Sequence, residues 1–405
     1  MNAGVYIHTP FCRSRCSYCD FATGMYESAA AEKYVGRLCS EIAHWQEVES
    51  PAPADTIYFG GGTPSLLSID QIESILKAVQ DRFEVASDAE ATLEINPGDG
   101  GTSADSKRNG ISLNENVRLD AALVRRESKS EFFRDLRQLG INRASFGAQT
   151  FNDRELKLLG RTHDSRDIRQ TFGQLRQAGF ANINFDLIAG LPGQTMAGWQ
   201  RNLDEALKLR PEHLSLYLLD LHEGTPLHDQ IKRGMRPKPD DDRAAEMYAT
   251  MIDRVCAAGY EHYEISNFCL PGFESRHNTK YWTGAPYYGF GNSAHSYDGA
   301  RRRWANERDA AKYVEQIDHS QSPIAERTML TEADVRSEAI FLGLRLMRGI
   351  HLQTYESRFG RNLREEYNGE LDRLSQAGLI QFDDELLKLT TRGALLSNEV
   401  FAALA

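Results

Sequence analysis

The stretch Tyr6-Ile-His-Thr-Pro-Phe-Cys12-Arg-Ser-Arg-Cys16-Ser-Tyr-Cys19-Asp-Phe21 sets three thiols within eight residues, spaced Cys-x3-Cys-x2-Cys, directly after the short apolar run Val5 to His8. Three thiolates from one loop can hold three irons of a cubane cluster and leave the fourth iron open to an outside ligand. A closed zinc site is the alternative. It wants a fourth ligand, which His8 could supply, and it usually presents its cysteines in pairs. The other cysteines, Cys39, Cys256 and Cys269, are scattered, which is not the pattern of a secreted disulfide framework. Cys39 and Cys256 fall in helical patterns and read as small core residues. The cysteine usage therefore points to metal binding in a reducing compartment, and the N-terminus offers no basic signal region, so a cytoplasmic location is expected.

Outward from this loop, short β-branched runs alternate with amphipathic segments over the first two thirds of the 405 residues, the pattern of repeated βα units and a parallel sheet. Strands are expected at Val5–His8, Thr56–Phe59, Ala91–Ile95, Arg143–Gly147, Asn182–Ile188 and His213–Leu218, with a seventh at Tyr260–Ile265. Helices are expected at Ala30–Gln46, Ile69–Arg82, Ser130–Leu139, Ser165–Ala178, Met196–Leu207 and Asp241–Ala258. Spacing alone fits a barrel, complete or partial, or a doubly wound sheet. Placement of the polar residues favours the barrel, where active sites gather at the C-terminal strand ends. The cysteine loop follows the first strand and Gly60-Gly61-Gly62-Thr63-Pro64 the second. Glu94 ends the third, Gln149 follows the fourth and Asp186 lies late in the fifth. A charge in an apolar parallel strand is costly unless paired or functional.

The formal net charge of −11 argues against a nucleic-acid partner, and Arg301-Arg302-Arg303 reads as a solvated loop. No run approaches the roughly 20 apolar residues of a membrane span, so no integral membrane protein is expected. From Asn267 to Tyr297 the chain is rich in Gly, Tyr, Trp and Asn and reads as a long irregular connection, too aromatic for disorder. Beyond it, helices at Glu332–Leu346, Leu363–Gln376 and Arg392–Leu404 and a hairpin at Ile380–Asp383 and Leu386–Thr390 suggest a winged-helix-like domain. The expected division is a core barrel over 1–265, an aromatic connection over 266–300 and a C-terminal domain over 301–405.

The cysteine spacing and its place after the first strand resemble the radical S-adenosylmethionine (SAM) superfamily. The flanks Tyr-Ile-His-x-Pro-Phe-Cys and Tyr-Cys-Asp-Phe narrow the resemblance to the group of coproporphyrinogen dehydrogenases and HemW-type heme chaperones. The resemblance implies an α/β fold, a partial (β/α) TIM-like barrel with a winged-helix-like C-terminal domain. It implies a [4Fe-4S] cluster on Cys12, Cys16 and Cys19, and SAM held by Tyr6, Gly62, Glu94, Gln149, Arg161 and Asp186. Tyr18, Thr63 and Pro64 match positions implicated in a second SAM.

His277-Asn278-Thr279-Lys280-Tyr281-Trp282 is similar to the His-Asn-x-x-Tyr-Trp of the heme chaperones, whose histidine is implicated in heme binding. A histidine hydrogen-bonded in a loop is the commoner case; beside aromatics, an imidazole could also ligate heme iron. Heme and recipient hemoproteins, membrane-associated ones among them, are the partners so implied. The other activity in the group is the oxygen-independent oxidative decarboxylation of coproporphyrinogen III. Three features disfavour it: few residues precede Val5, Phe21 stands where the dehydrogenases place a further cysteine, and the His-Asn-x-x-Tyr-Trp pattern is present. One departure from the family pattern is an extra stretch at about 99–127, rich in Gly, Ser, Asn and charge, emerging after the third strand.

Overall fold

The computed structural model describes residues 1–98 and 129–404; the extra stretch at 99–127 lies outside the described residues. Seven parallel strands lie side by side in the order Tyr287–Phe290, Ala3–Thr9, Ala54–Gly61, Val85–Ile95, Arg143–Gln149, Ile183–Ala189, His213–Leu218. Ala3–Thr9 is buried along almost its whole length, as befits a strand covered on both faces. The last of the seven, His213–Leu218, pairs with the antiparallel strand Asn267–Cys269 instead of closing onto Tyr287–Phe290, so the barrel is partial.

Two expectations are corrected here. The seventh parallel strand is Tyr287–Phe290, from the segment read as irregular, and it joins the sheet beside the first strand. The expected seventh, Tyr260–Ile265, appears instead as Glu261–Glu264, the antiparallel edge of a hairpin. Aromatic and glycine residues obscured the strand pattern: Tyr288 and Phe290 are buried, while Gly289 packs so closely that a Cβ would stand 2.3 Å from the His295 carbonyl. The same sheet continues through His295–Tyr297, Arg302–Asn306 and Ile324–Met329, so the domain boundary expected at 301 falls inside it.

The covering helices follow from apolar spacing and caps. Ile69–Arg82 starts at Ser68, whose side chain and that of Gln71 form a reciprocal capping box, and it buries Ile72, Ile75, Leu76 and Val79. That is the i, i+3, i+4, i+7 stripe of a one-sided helix, each aliphatic stabilising by roughly 1.5–3 kcal/mol on burial. Ser28–His44 carries Glu41, a buried carboxylate that accepts from the Gly291 amide (2.9 Å), the Asn306 amide (2.6 Å) and the Tyr313 hydroxyl (2.5 Å). Burial pushes it up to about 7. It pins the turn after the seventh parallel strand to this helix.

The C-terminal unit packs Glu332–Arg345, Leu352–Phe359 and Asn368–Gln376 around a three-stranded antiparallel sheet, the winged-helix-like arrangement expected. The expected helix Leu363–Gln376 is broken at Tyr367, and Leu352–Phe359 was unread because Gly349 and Gly360 bracket only a short apolar pattern. Cys256 is exposed on its helix and not a core residue. Among the described residues, no helix is long and apolar enough to cross a membrane.

Candidate functional site

The C-terminal strand ends open into a cavity of about 380 Å³. Of the expected site residues, Cys12, Cys16, Cys19, Tyr18, Gly62, Thr63, Glu94, Gln149, Arg161 and Asp186 all line it; Tyr6, Pro64 and His277 do not. The cysteine loop is held by backbone. Gly62 and Thr63 donate to the Thr9 and Phe11 carbonyls, both at 2.7 Å, and Ser17 donates to the Leu159 carbonyl at 2.9 Å. Gly62 is required by this approach, since a Cβ there would stand 2.7 Å from the Phe11 carbonyl oxygen. Pro64 is buried beneath, starting a short turn over Pro64–Leu66.

Two donors point at the sulfurs: the Thr63 hydroxyl at Cys12 (3.6 Å) and the Arg161 guanidinium at Cys16 (3.4 Å). Burial raises the thiol pKa of Cys12, and that of Cys19 to about 11, so a metal taken up here would displace protons. His8, the fourth ligand a zinc site would need, is engaged elsewhere, through Nδ1 with the Tyr6 hydroxyl (3.1 Å) and through Nε2 with the Ala22 carbonyl (3.2 Å). Among the described residues, no three His, Cys, Asp or Glu side chains are gathered closely enough for a single metal ion. Three thiols from one loop line this cavity while His8 is bonded elsewhere, so the donor set fits a cluster with one open iron better than a closed zinc site.

Below the thiols the wall is polar. Glu94 accepts from the Tyr58 hydroxyl (2.8 Å) and the Gly61 amide (3.2 Å), and burial, with Asp186 nearby, pushes its carboxyl up to about 7. Asp186 accepts from the Asn184 amide at 2.7 Å and is likewise raised by burial. Gln149 ends its strand with φ of 64°, a left-handed conformation uncommon outside glycine. Arg161 reaches back to the Gly147 carbonyl at 2.7 Å. Sequence reading missed Arg143, Ser145, Asn184, Ser215 and Tyr217, which also line the cavity. Their signal was present as polar residues at every second position along three strands, the inward face of a barrel wall.

At the opposite end, the expected heme motif is the helix Arg276–Thr283. Ser275 caps it, and the Glu90 carboxylate accepts the Arg276 and His277 amides, both at 3.1 Å. His277 is 1% exposed, with Nδ1 on the Thr56 hydroxyl (2.8 Å) and Nε2 on the Tyr281 hydroxyl (2.9 Å). Burial, then Lys280 and Arg143, push its imidazole down to about 3. The Tyr58 ring stacks on it at 5.1 Å and the Tyr6 ring lies 6.4 Å away, so Tyr6 belongs to this lower layer. Asn278 reaches the cavity from beneath, and the Arg345 guanidinium, paired with Glu264 at 2.7 Å, covers Trp282 at 4.3 Å.

Residues 6–206 match the Radical SAM superfamily and residues 330–396 the HemN C-terminal domain. The heme chaperone HemW of Bacillus subtilis is 33% identical over 98% of this chain and 98% of its own. The chain belongs to the HemW family of radical SAM proteins. HemW of Synechocystis is 37% identical over 86% of this chain and 79% of its own. A bovine mitochondrial radical SAM domain-containing protein is 31% identical over 99% of this chain and 87% of its own. Among solved structures, Escherichia coli coproporphyrinogen III oxidase, HemN, superimposes with a TM-score of 0.80 over 100% of this chain and 90% of its own, at 23% identity. That likeness establishes the fold that this HemW family chain shares with the oxidase.

Proposed function

We propose that this chain is a heme chaperone: it binds heme as cargo, passes it to recipient hemoproteins, and carries a [4Fe-4S] cluster on Cys12, Cys16 and Cys19 with SAM beside it. The observation that carries the reading is similarity to proteins called heme chaperones, at 33–37% identity over 86–98% of this chain. In support, three thiols share one cavity with Gly62, Glu94, Gln149, Arg161 and Asp186, the residues assigned to SAM. Tyr6 would support that layer from below through His8 and the Tyr58 ring, and Tyr18, Thr63 and Pro64 flank it. When bound, the cluster would supply an electron and an open iron. The protein's own residues do the positioning: Glu94 holds the glycine turn, and Arg161 sets a positive charge beside the Cys16 sulfur.

His277 enters as part of the heme-linked motif. Both its ring nitrogens are engaged in the floor beneath the cavity, and ligation of iron through Nε2 would require the Tyr281 bond to open. The proposed setting is the cytoplasm.

The test is a titration of anaerobically reconstituted protein with hemin, followed by transfer to an apo-hemoprotein, alongside an assay for coproporphyrinogen decarboxylation. Saturable binding with transfer and no decarboxylation is expected. Decarboxylation without heme binding would replace this reading with the oxidase activity.

A further inference from the structure

Two large aromatic side chains lie open to solvent at the mouth of the thiol cavity: Phe21, 61% exposed, and Tyr217, 40% exposed. A soluble surface carries scattered apolar residues as a matter of course, but these two aromatic side chains line one cavity and offer apolar faces to a ligand at its mouth. The chain that leaves Tyr217 runs Leu218-Leu219-Asp220-Leu221-His222 and brings an imidazole to the cysteine loop. His222 is 43% exposed; its Nδ1 stands 3.8 Å from the Asp20 carboxylate and its Nε2 3.6 Å from that of Asp220. Neither contact is a hydrogen bond. Asp20 lies between Cys19 and Phe21, so this imidazole is placed directly beside the thiol loop.

Resting on the heme-chaperone reading, we propose that His222 is an axial ligand to heme iron, with the rims of Phe21 and Tyr217 covering the porphyrin at the cluster mouth. The two histidines at the two ends of the barrel differ in what ligation demands. His277 would have to break a 2.9 Å bond inside a packed floor, whereas His222 has only to turn Nε2 away from Asp220, a carboxylate 81% exposed. Asp20 stays on the Nδ1 side, and an imidazole that binds metal through one nitrogen commonly presents the other to a carboxylate, which orients the ring and raises its basicity. Charge also suits the cargo. Arg15 lines the same cavity and donates to the Cys19 carbonyl at 3.4 Å, and the exposed Arg308 donates to the Asp20 carbonyl at 3.0 Å, so guanidinium groups suited to carboxylates stand beside this loop. Heme held at the rim is accessible to a recipient, as transfer requires.

The experiment uses the full, cluster-loaded chain titrated anaerobically with hemin and followed through the Soret and visible bands. His222→Ala should weaken binding about tenfold or more and remove the axial-imidazole signature. His222→Met should recover affinity with a shifted spectrum, and Phe21→Ser should weaken binding without changing the axial signature. His319→Ala, an exposed histidine at the C-terminal end of the helix Ala310–Asp318, should titrate as wild type. The His222, Phe21 and His319 variants lie at the surface, and retained cluster absorbance checks the fold of every variant. Unchanged affinity and spectrum in His222→Ala, or loss of the signature in His277→Gln alone, would overturn the assignment while leaving the chaperone reading in place. Wild-type protein that binds no hemin would overturn both.

Discussion

The two ends of the barrel interior are built from the same strands and solve opposite problems. At the open end, Cys12, Cys16 and Cys19 face a cavity with Glu94 and Asp186 buried below them, a set of groups that gain most from a ligand. At the closed end, His277, Thr56, Tyr281 and Glu90 satisfy one another, and Lys280 pairs with Asp55 and the Asn2 carbonyl. Buried polar groups are costly without partners. The difference teaches that the open end is arranged for chemistry with something brought in, and the closed end for holding the fold.

The sharpest way to break this contrast is to exchange the consequences of mutation. Cys16→Ala should reduce iron content and visible absorption to near background, whereas His277→Gln should keep both; iron analysis of the reconstituted variants checks it. Equal loss in both would erase the distinction between a ligand end and a structural end.

The ends should also differ in the sign of their pH dependence. Glu94 is raised from 4.5 to about 7, so the folded state holds its proton more tightly. Its contribution is complete below 4.5 and is lost as pH rises through 7. His277 is lowered from 6.5 to about 3 and is neutral when folded, so its contribution is present above 6.5 and is lost as pH falls toward 3. Each contributes a slope of at most about 1.4 kcal/mol per pH unit inside its window. In urea unfolding between about pH 5 and about pH 7.5, Glu94→Gln should therefore flatten the alkaline side and His277→Gln the acid side. The same change of slope in both variants would refute the contrast.

The smallest effect sharpens it. Thr56→Val removes the partner of His277 Nδ1 and should cost about 1–2 kcal/mol by urea unfolding, with SAM affinity unchanged. A loss of SAM binding of the same size would mean that the floor also shapes the open cavity.

Much of this was legible in order along the chain. The cysteine spacing, the glycine turn and the polar residues at strand ends needed only local pattern, because a parallel strand forces its C-terminal end to the common face. The wall residues Arg143, Ser145, Asn184 and Ser215 were legible in principle through their period of two but were overlooked among the apolar residues between them. The strand Tyr287–Phe290 was not, since its partner lies near the N-terminus and its own four residues are mostly aromatic and glycine.

By itself, then, the sequence determined the thiol loop, the alternating βα order and the family to which the chain belongs, all of which are properties of spacing along one strand or one loop. Only the tertiary structure decided that His277 is an enclosed floor residue and His222 an open one beside the thiols. Burial and hydrogen-bond partners depend on residues such as Thr56 and Asp20, which stand 221 and about 200 positions away and meet these histidines only when the sheet has folded.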